Sequence, residues 1–184
     1  MPRSTPAPDL AQRLAAITLP SADGKPFLFG AAWQKRTAVV VHLRHFGCLY
    51  CRKQAAELKT HHAAIEKLGA SVIAVGTGDL AYAAQFRKEF ELPYAILSDD
   101  AVVSYEAVGA KDTNLLNWVK PGNLLSVAAT MRGGFSQGKP GNHQRYLGAT
   151  HVILPGGRVA YAWLNDDFAK DAPLRDVLTA LDVL

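Results

Sequence analysis

The chain has 184 residues, of which 49% are hydrophobic and 20% are charged, and its formal net charge at pH 7 is +4. These values are ordinary for a soluble globular protein, and the length fits a single domain that can bury a substantial core. The sequence does not predict a nucleic-acid-binding protein, because it has no dense Lys/Arg stripe. It also shows no apolar run that spans a membrane and no secretory signal, so we expect a cytoplasmic location.

The first half of the chain predicts alternating helices and strands after a short tail. Residues 1–8 hold three prolines and are expected to form a flexible tail. The run over 37–44 is short, β-branched and apolar, as a central strand buried on both faces should be. The stripe that begins at Cys51 repeats with a spacing of three to four residues and predicts a long helix over 48–68. The other predicted elements of this half are a short helix over 10–17, a small strand over 27–29, a strand over 71–75, a helix over 80–90, a strand over 94–97 and a short helix that ends at residue 108.

The second half is predicted to begin with an insertion over about 109–148. Within it, Pro121 starts a helix that runs to about Met131, and residues 133–142 form a Gly-rich loop that is long enough to be functional. The remaining predicted elements are the two strands of a β-hairpin, over 150–154 and 158–164, and an amphipathic helix over 174–184. A βαβαβα order followed by a closing hairpin and helix predicts a single α/β domain over 9–184. We expect a thioredoxin-like fold, in which a central mixed sheet is flanked by helices.

A Cys-x-x-Cys pair, Cys48 and Cys51, follows the predicted central strand and opens the long helix. Unpaired N–H groups and the macrodipole at a helix N-terminus lower the pKa of a thiol there, and the thiolate is the reactive form. Arg44, His45 and the dipeptide Arg52-Lys53 add positive charge nearby. We therefore expect Cys48 to attack, and Cys51, more buried and one turn further along the same helix face, to resolve it as a disulfide. In a reducing compartment such a pair is more often catalytic or metal-binding than structural.

Three segments resemble the alkyl hydroperoxide reductase/thiol-specific antioxidant superfamily: VVVHLRHFGCLYCRKQAAEL, the GASVIAVGTGD that follows it, and the later GATHVILPGGRVAYAW. The chain is most similar to the divergent peroxiredoxin-like branch that includes prostamide/prostaglandin F synthase, over roughly residues 20–184. This resemblance implies a thioredoxin-like fold and thiol-dependent reduction of peroxide-type O–O bonds, or a related redox role. It also implies that no bound cofactor is needed and that thioredoxin, glutathione or a similar thiol is the reductant.

The sequence departs from the pattern of that family at several positions. Typical peroxiredoxins carry Pro and Thr seven and three residues before the reactive Cys, where this chain has Val41 and His45. Their active-site Arg precedes a late strand, and by that order Arg145 is the candidate, whereas Arg44 is nearer to the motif. The cis-Pro that faces the motif in thioredoxins is replaced by the run 148–150, Gly-Ala-Thr, so a general disulfide reductase of the thioredoxin type is less expected.

Four further side chains are candidate site residues. In one interpretation Arg44 stabilises a thiolate and a developing oxyanion, and in another it pairs with a carboxylate elsewhere in the fold. His45 acts as a base toward Cys48 or orients a peroxide oxygen, unless it is only a polar loop residue. Tyr50 lines the mouth of the site or simply packs, and Arg145 is a candidate for binding the substrate.

The leading hypothesis is a peroxiredoxin-like thiol oxidoreductase that reduces a peroxide-type or related electrophilic small molecule through Cys48 and Cys51. Two alternatives stay open. One is a non-catalytic thioredoxin-fold binding module with ordinary thiols. The other is a Cys-ligated zinc or iron–sulfur site, for which His45 and His61 are candidate ligands, although no second Cys-x-x-Cys or spaced His pair completes a set. We leave a homodimer open as the assembly.

Overall fold

The computed structural model describes residues 5–113, 121–140 and 143–183 of the chain. Its helices and strands are, in chain order, α1 (Leu10–Ala15), β1 (Thr18–Pro20), β2 (Pro26–Leu28), a 3-10 helix (Phe29–Trp33), β3 (Thr37–His45), α2 (Leu49–Lys67), β4 (Ala70–Thr77), α3 (Leu80–Phe90), β5 (Ala95–Ser98), α4 (Val103–Val108), α5 (Pro121–Arg132), β6 (Ala149–Ile153), β7 (Val159–Leu164) and α6 (Leu174–Asp182). Apart from β1 and the 3-10 helix, which the sequence does not predict, the order of strands and helices matches the predicted order.

The observed elements differ from the predicted ones mainly at their ends. The strand predicted over 27–29 ends one residue earlier, because Phe29 starts the 3-10 helix. β1 has no signal in the sequence, since three residues that end in proline show no alternation. Parts of the tail predicted over 1–8 and of the insertion predicted over 109–148 lie outside the described residues.

Five strands form one mixed sheet in the order β5-β4-β3-β6-β7. β3, β4 and β5 run parallel to one another, whereas β6 is antiparallel to both of its neighbours, β3 and β7. β1 and β2 form a separate antiparallel ribbon. The central mixed sheet flanked by helices is confirmed, and the cysteine pair lies at the carboxyl end of its middle strand.

Hydrophobic cores lie on both faces of this sheet. On one face, Val39, Val41 and Leu43 of β3 belong to a cluster with buried residues of α2, α3 and α6. On the other face, Ala38 and Val40 belong to a cluster with residues of α1, the 3-10 helix and α4. β3 is apolar along most of its length because successive side chains point to opposite faces, and both faces are covered.

A polar cluster lies under β3 within the second core. A histidine on a central strand is expected to be a hydrogen-bonded core residue, and His42 is one: its Nε2 lies 3.2 Å from Ser104 Oγ, which donates to Asp99 Oδ2 at 2.6 Å. Because the serine hydrogen is used on the carboxylate, His42 Nε2 is the donor. Burial lowers the pKa of His42 to about 3, with His151 contributing, and burial lowers the pKa of His151 to about 4. Both imidazoles are therefore neutral at pH 7.

Candidate active site

The site lies where β3 ends and α2 begins. β3 pairs with β4 at His42 and again at His45, with two β3 residues opposite a single β4 residue, which is a β-bulge. At this bulge the backbone N–H of Arg44 donates to Cys51 Sγ at 3.1 Å. Cys48 follows at the N-cap position of α2, with an extended backbone. The strand end and the helix start thus bring one arginine and both cysteines together.

The two thiols are close to each other, and both have little exposure to solvent. Cys48 and Cys51 lie 3.5 Å apart, and their side chains share a hydrogen bond. Each residue is 2% exposed, because segments distant in sequence, described below, lie over Cys48 as well. Cys48 lines the cavity described below whereas Cys51 does not, so Cys51 is the deeper of the two, as expected.

The two thiols nevertheless differ in acidity. The hydrogen bond from Cys51 lowers the pKa of Cys48 from 9.0 to about 6, helped by the Arg44 guanidinium and by backbone N–H groups of α2, although burial opposes the shift. Burial raises the pKa of Cys51 well above its ordinary value, and the neighbouring Cys48 adds to this effect. At pH 7 the pair therefore holds a thiolate on Cys48 and a thiol on Cys51.

Arg44 contacts the Cys48 sulfur directly. Its Nη1 donates to Cys48 Sγ at 3.7 Å, and its Nη2 donates to the backbone carbonyl of Gln144 at 2.6 Å. The guanidinium also lies 5.7 Å from the centre of the Phe168 ring, which is a cation–π distance. The contact with Sγ fits the interpretation in which Arg44 stabilises a thiolate.

The other two cations near the pair in sequence have carboxylate partners. Arg52 pairs with Glu89, and its guanidinium lies 4.8 Å from the centre of the Phe90 ring. Lys53 pairs with Glu57 one turn along α2, at 3.5 Å. Part of their charge is neutralised locally, so Arg44 is the main source of positive charge at the sulfur.

His45 is buried beside Arg44 and is 3% exposed. Burial lowers the pKa of His45 to about 4, and the charge of Arg44 adds to the effect. The imidazole is therefore neutral at pH 7 and a weaker base than the Cys48 thiolate, whose pKa is about 6. His45 is among the residues that line the cavity over Cys48, but its Nδ1 is buried and has no hydrogen-bond partner within the described part of the chain. The low pKa argues against His45 as a base toward the Cys48 thiol.

A cavity of about 410 Å³ opens over Cys48. Its apolar walls are formed by Leu49, Tyr50, Val127, Met131, Pro140 and Phe168. The ring centre of Tyr50 lies 5.8 Å from that of Phe168, and its hydroxyl donates to the backbone carbonyl of Asn123 at 3.4 Å. Tyr50 therefore lines the cavity and packs at the same time. Cavities with mostly apolar walls and a few polar groups are typical of sites for organic small molecules.

Arg145 does not reach this site. Its side chain is 69% exposed, pairs with Asp112 at 3.4 Å and is absent from the cavity wall. A β-bridge between Asp112 and Tyr146 fixes the backbone of this segment. The neighbouring residue Gln144 lines the cavity instead, and its backbone carbonyl accepts a hydrogen bond from Arg44 Nη2. The expectation for Arg145 rested only on its order along the chain, and the structure corrects it.

Residues 133–140, called the strap from here on, lie across the start of α2. The N–H of Gly138 donates to the carbonyl of Gly47 at 2.8 Å, and the Tyr82 hydroxyl donates to the carbonyl of Lys139 at 2.9 Å. A Cβ atom on residue 47 would overlap the Lys139 carbonyl, so the strap approaches this closely only because residue 47 is glycine. The glycines of the loop predict its irregular backbone, but nothing in the sequence indicates these distant partners.

A carboxyl group that sequence reasoning misses lies just before α6. Asp171 Oδ1 accepts a hydrogen bond from Asn165 Nδ2 at 3.0 Å. Burial raises the pKa of Asp171 to about 7, and the negative charge of Cys48 adds to the effect. Asp171 in turn contributes to the raised pKa of Cys51. Its position near the pair depends on how the end of the chain packs, which no local pattern indicates.

Gly148 occupies the place of the thioredoxin cis-Pro, and no peptide bond among the described residues is cis. A Cβ atom at this position would press on the His42 carbonyl and on the Asn165 side chain. The Gly148 carbonyl accepts from the Asn165 N–H at 3.0 Å. The glycine thus allows β3, β6 and the end of β7 to approach one another closely beside the site.

Within residues 5–113, 121–140 and 143–183, no group of three or more His, Cys, Asp and Glu side chains is arranged to hold a metal ion. In the same ranges no helix is both long enough and apolar enough to cross a bilayer. The alternative of a Cys-ligated metal site therefore has no third ligand in the part of the chain that is described.

Fold and site together define a thiol protein of thioredoxin-like fold, with two cysteines at a strand-to-helix junction. The chain belongs to the AhpC/TSA family, whose model matches residues 10–162. It is similar to the prostamide/prostaglandin F synthase of Bos taurus, with 26% identity over 180 residues that cover 95% of this chain and 89% of that protein. It is also similar to peroxiredoxin-like 2C of Bos taurus, with 23% identity over 187 residues that cover 95% and 80% of the two chains.

Solved structures show the same fold. A crystal structure of a PrxQ mutant from Xylella fastidiosa matches with a TM-score of 0.71 at 13% identity, over 100% of this chain and 96% of that one. Peroxidoxin BcpB from Mycobacterium tuberculosis matches with a TM-score of 0.69 at 17% identity, over 91% and 92% of the two chains. The family resemblance and the thioredoxin-like fold that the sequence indicates are confirmed.

Proposed function

We propose that the protein reduces an organic peroxide with Cys48 and resolves the oxidised thiol with Cys51. The AhpC/TSA family and the peroxiredoxin-like fold support a thiol-dependent peroxidase or oxidoreductase activity. The observation that carries the assignment of the residues is the asymmetry of the pair. The pKa of Cys48 is lowered to about 6, while that of the adjacent Cys51 is raised. A nucleophile and its resolving partner need this difference.

The first half-reaction uses the Cys48 thiolate as the nucleophile. Its sulfur attacks the terminal oxygen of the peroxide, so that an S–O bond forms, the O–O bond breaks and the second oxygen leaves as an alkoxide. Cys48 becomes a sulfenic acid that carries the transferred hydroxyl, and the alkoxide takes a proton from water to become an alcohol. Arg44 Nη1, 3.7 Å from Sγ, stabilises both the thiolate and the charge that develops on the oxygens.

The second half-reaction forms a disulfide between Cys48 and Cys51. The Cys51 thiol gives up its proton and attacks the sulfenic sulfur; an S–S bond forms, and the hydroxyl leaves with a proton as water. The separation of 3.5 Å supports this step. A thiol reductant such as thioredoxin or glutathione then reduces the disulfide by exchange, which returns both cysteines to their starting state.

The cavity supports an organic peroxide as the substrate class. Its walls are mainly apolar, and its volume of about 410 Å³ is larger than hydrogen peroxide requires. Arg44 and His45 supply polar groups at the end where the sulfur lies. An organic peroxide could place its apolar group against the apolar walls and its peroxide oxygens at the polar end, next to Cys48.

Peroxide consumption by the reduced protein tests the proposal. Wild type should consume cumene hydroperoxide when a thiol reductant is present, and Cys48→Ser should be inactive. Cys51→Ser should react once and then stop, unless the reductant reduces the Cys48 sulfenic acid directly. Equal consumption by wild type and Cys48→Ser would contradict the proposal. Elemental analysis of the same samples tests the metal alternative, because stoichiometric zinc or iron would assign the cysteines to a metal site instead.

A further inference from the structure

The strap carries a side-chain amide to the cavity beside the reactive sulfur. Gln137 lines the cavity, and its Oε1 accepts the backbone N–H of Leu49 at 3.1 Å. Leu49 is the first residue of α2, and its N–H is one of the donors that a helix leaves unpaired at its N-terminus. The oxygen of the amide must face this N–H, because an amide nitrogen in the same place would oppose one donor with another. The helix therefore sets the orientation of the amide.

The nitrogen of the same amide keeps a donor for a ligand. Nε2 carries two hydrogens, and its protein contact within the described residues is a long one, 3.4 Å to the carbonyl of Gly138. We propose that Gln137 is a substrate-binding residue, whose free N–H donates to an oxygen of the organic peroxide in the cavity. This inference rests on the peroxidase function proposed above and names a residue that completes its site.

The electrostatics of the cavity explain why a second donor is useful. Negative charge develops on both peroxide oxygens as the O–O bond breaks, and preorganised donors lower the barrier to that step. Arg44 directs Nη1 to Cys48 Sγ and Nη2 to the Gln144 carbonyl, so these two nitrogens are already engaged. An uncharged amide stabilises charge on oxygen without the repulsion that a carboxylate would add beside the Cys48 thiolate.

The strap holds this amide in place through contacts on its other side. The Tyr82 hydroxyl binds the Lys139 carbonyl at 2.9 Å, and the Gly138 N–H binds the Gly47 carbonyl at 2.8 Å. Both bonds are made by the two residues that follow Gln137, and they fix the backbone next to the point from which its side chain projects. Tyr82 is therefore a positioning residue that acts through Gln137, and it is not among the residues that line the cavity.

A comparison of two reactions of Cys48 tests the proposal. Gln137→Met keeps the length of the side chain but removes both amide atoms, and Gln85→Met, on the exposed face of α3, is the matched control. In Gln137→Met, oxidation of Cys48 by cumene hydroperoxide, followed by stopped-flow fluorescence, should slow by about tenfold, the effect expected for one lost hydrogen bond. Alkylation of Cys48 by iodoacetamide at the same pH should change by less than about twofold, because it depends on the thiolate and on access but not on a peroxide oxygen.

Two results would overturn the assignment of Gln137. One is an equal loss of oxidation and alkylation, which would show that the residue only orders the strap. The other is unchanged oxidation. If wild-type Cys48 is alkylated readily but no peroxide oxidises it, the proposed function fails, and the inference fails with it.

A double-mutant cycle separates the positioning role of Tyr82 from a general effect on folding. Tyr82→Phe keeps the ring, whose centre lies 5.8 Å from that of Phe46, and removes only the hydroxyl. It should slow oxidation in the wild-type background and have no further effect in Gln137→Met. Additive losses in the double variant would contradict the coupling.

Discussion

Replacing Cys51 by alanine should raise the pKa of Cys48, because the hydrogen bond from Cys51 is the largest of the effects that lower it. Hydrogen bonds to charged groups contribute roughly 1.5–3 kcal/mol. Since a shift of about one pKa unit corresponds to roughly 1.4 kcal/mol, the pKa of Cys48 in Cys51→Ala should rise from about 6 to about 7–8. It should not return to 9.0, because Arg44 and the backbone N–H groups of α2 remain.

The thiolate population at neutral pH follows from these values. A pKa of about 6 leaves roughly 90% of Cys48 ionised at pH 7, and a pKa of about 7–8 leaves roughly 10–50%. The rate of alkylation by iodoacetamide, measured against pH, reports the midpoint directly. In Cys51→Ala the rate at pH 7, taken as a fraction of the plateau at high pH, should fall by about twofold to tenfold. The plateau itself should not fall, because a more basic thiolate is the better nucleophile.

Cys51→Ser is the matched control for this experiment. Its hydroxyl can donate to the Cys48 sulfur as the thiol does, so its midpoint should stay closer to that of the wild type than the midpoint of Cys51→Ala. Both variants lack the resolving thiol, so a difference between them isolates the hydrogen bond. An unchanged midpoint in Cys51→Ala, or the same shift in both variants, would refute this explanation of the low pKa.

Three further predictions concern the surroundings of the pair. Arg44→Met should raise the pKa of Cys48 because the second cause of its low pKa is removed, and alkylation against pH checks this; an unshifted midpoint would contradict it. Gly47→Ala should displace the strap, because the new Cβ overlaps a strap carbonyl; a bulky maleimide should then label Cys48 faster than in wild type, and an unchanged rate would argue against the strap as its cover. The folded protein should lose thermal stability as the pH falls below about 6.5, because the unfolded chain binds protons there while His42 and His151, with pKa values of about 3 and 4, stay neutral in the fold. His151→Leu should reduce the slope of the melting temperature between pH 7 and pH 4, and an unchanged slope would exclude a contribution from this residue.

The junction of β3 and α2 is predictable from the sequence because both of its elements are local patterns. A β-branched apolar run gives the strand, a stripe with helical spacing gives the helix, and Cys48 lies between them. The later hairpin supplies the two antiparallel strands of the mixed sheet, and the last helix packs on one of its faces. The same reasoning predicts His42 as a core residue, since a polar side chain in a buried strand needs a buried partner, which Ser104 supplies.

The environment of the pair depends instead on contacts between distant segments. The bulge that directs the Arg44 N–H to Cys51 is invisible in the strand pattern, because it is a property of the pairing with β4. Gln137 binds a residue 88 positions away, so no local spacing signals it. Gln144 and Arg145 are adjacent, yet the Gln144 carbonyl binds Arg44 while the Arg145 side chain pairs with Asp112, a difference that no sequence pattern indicates.

The low exposure of Cys48 has the same origin. Helix periodicity places Cys51 toward the core, as expected. It does not predict that the strap lies across the start of α2 beside Cys48. The electrostatic difference between the thiols follows from the hydrogen bond between them and from Arg44, and it exists although each is 2% exposed. The pKa values of Cys48 and Cys51 therefore distinguish the two thiols, whereas their exposed fractions do not.

The order of oxidation within the pair tests the central claim most directly. Reduced Cys51→Ser treated with one equivalent of cumene hydroperoxide and a sulfenic-acid trap should carry the trap on the peptide that contains Cys48, as located by mass spectrometry. Wild type treated in the same way should instead lose two hydrogen atoms and form the disulfide between Cys48 and Cys51. A trap found on Cys51 in Cys48→Ser at the wild-type rate, or no disulfide in the wild type, would contradict the account.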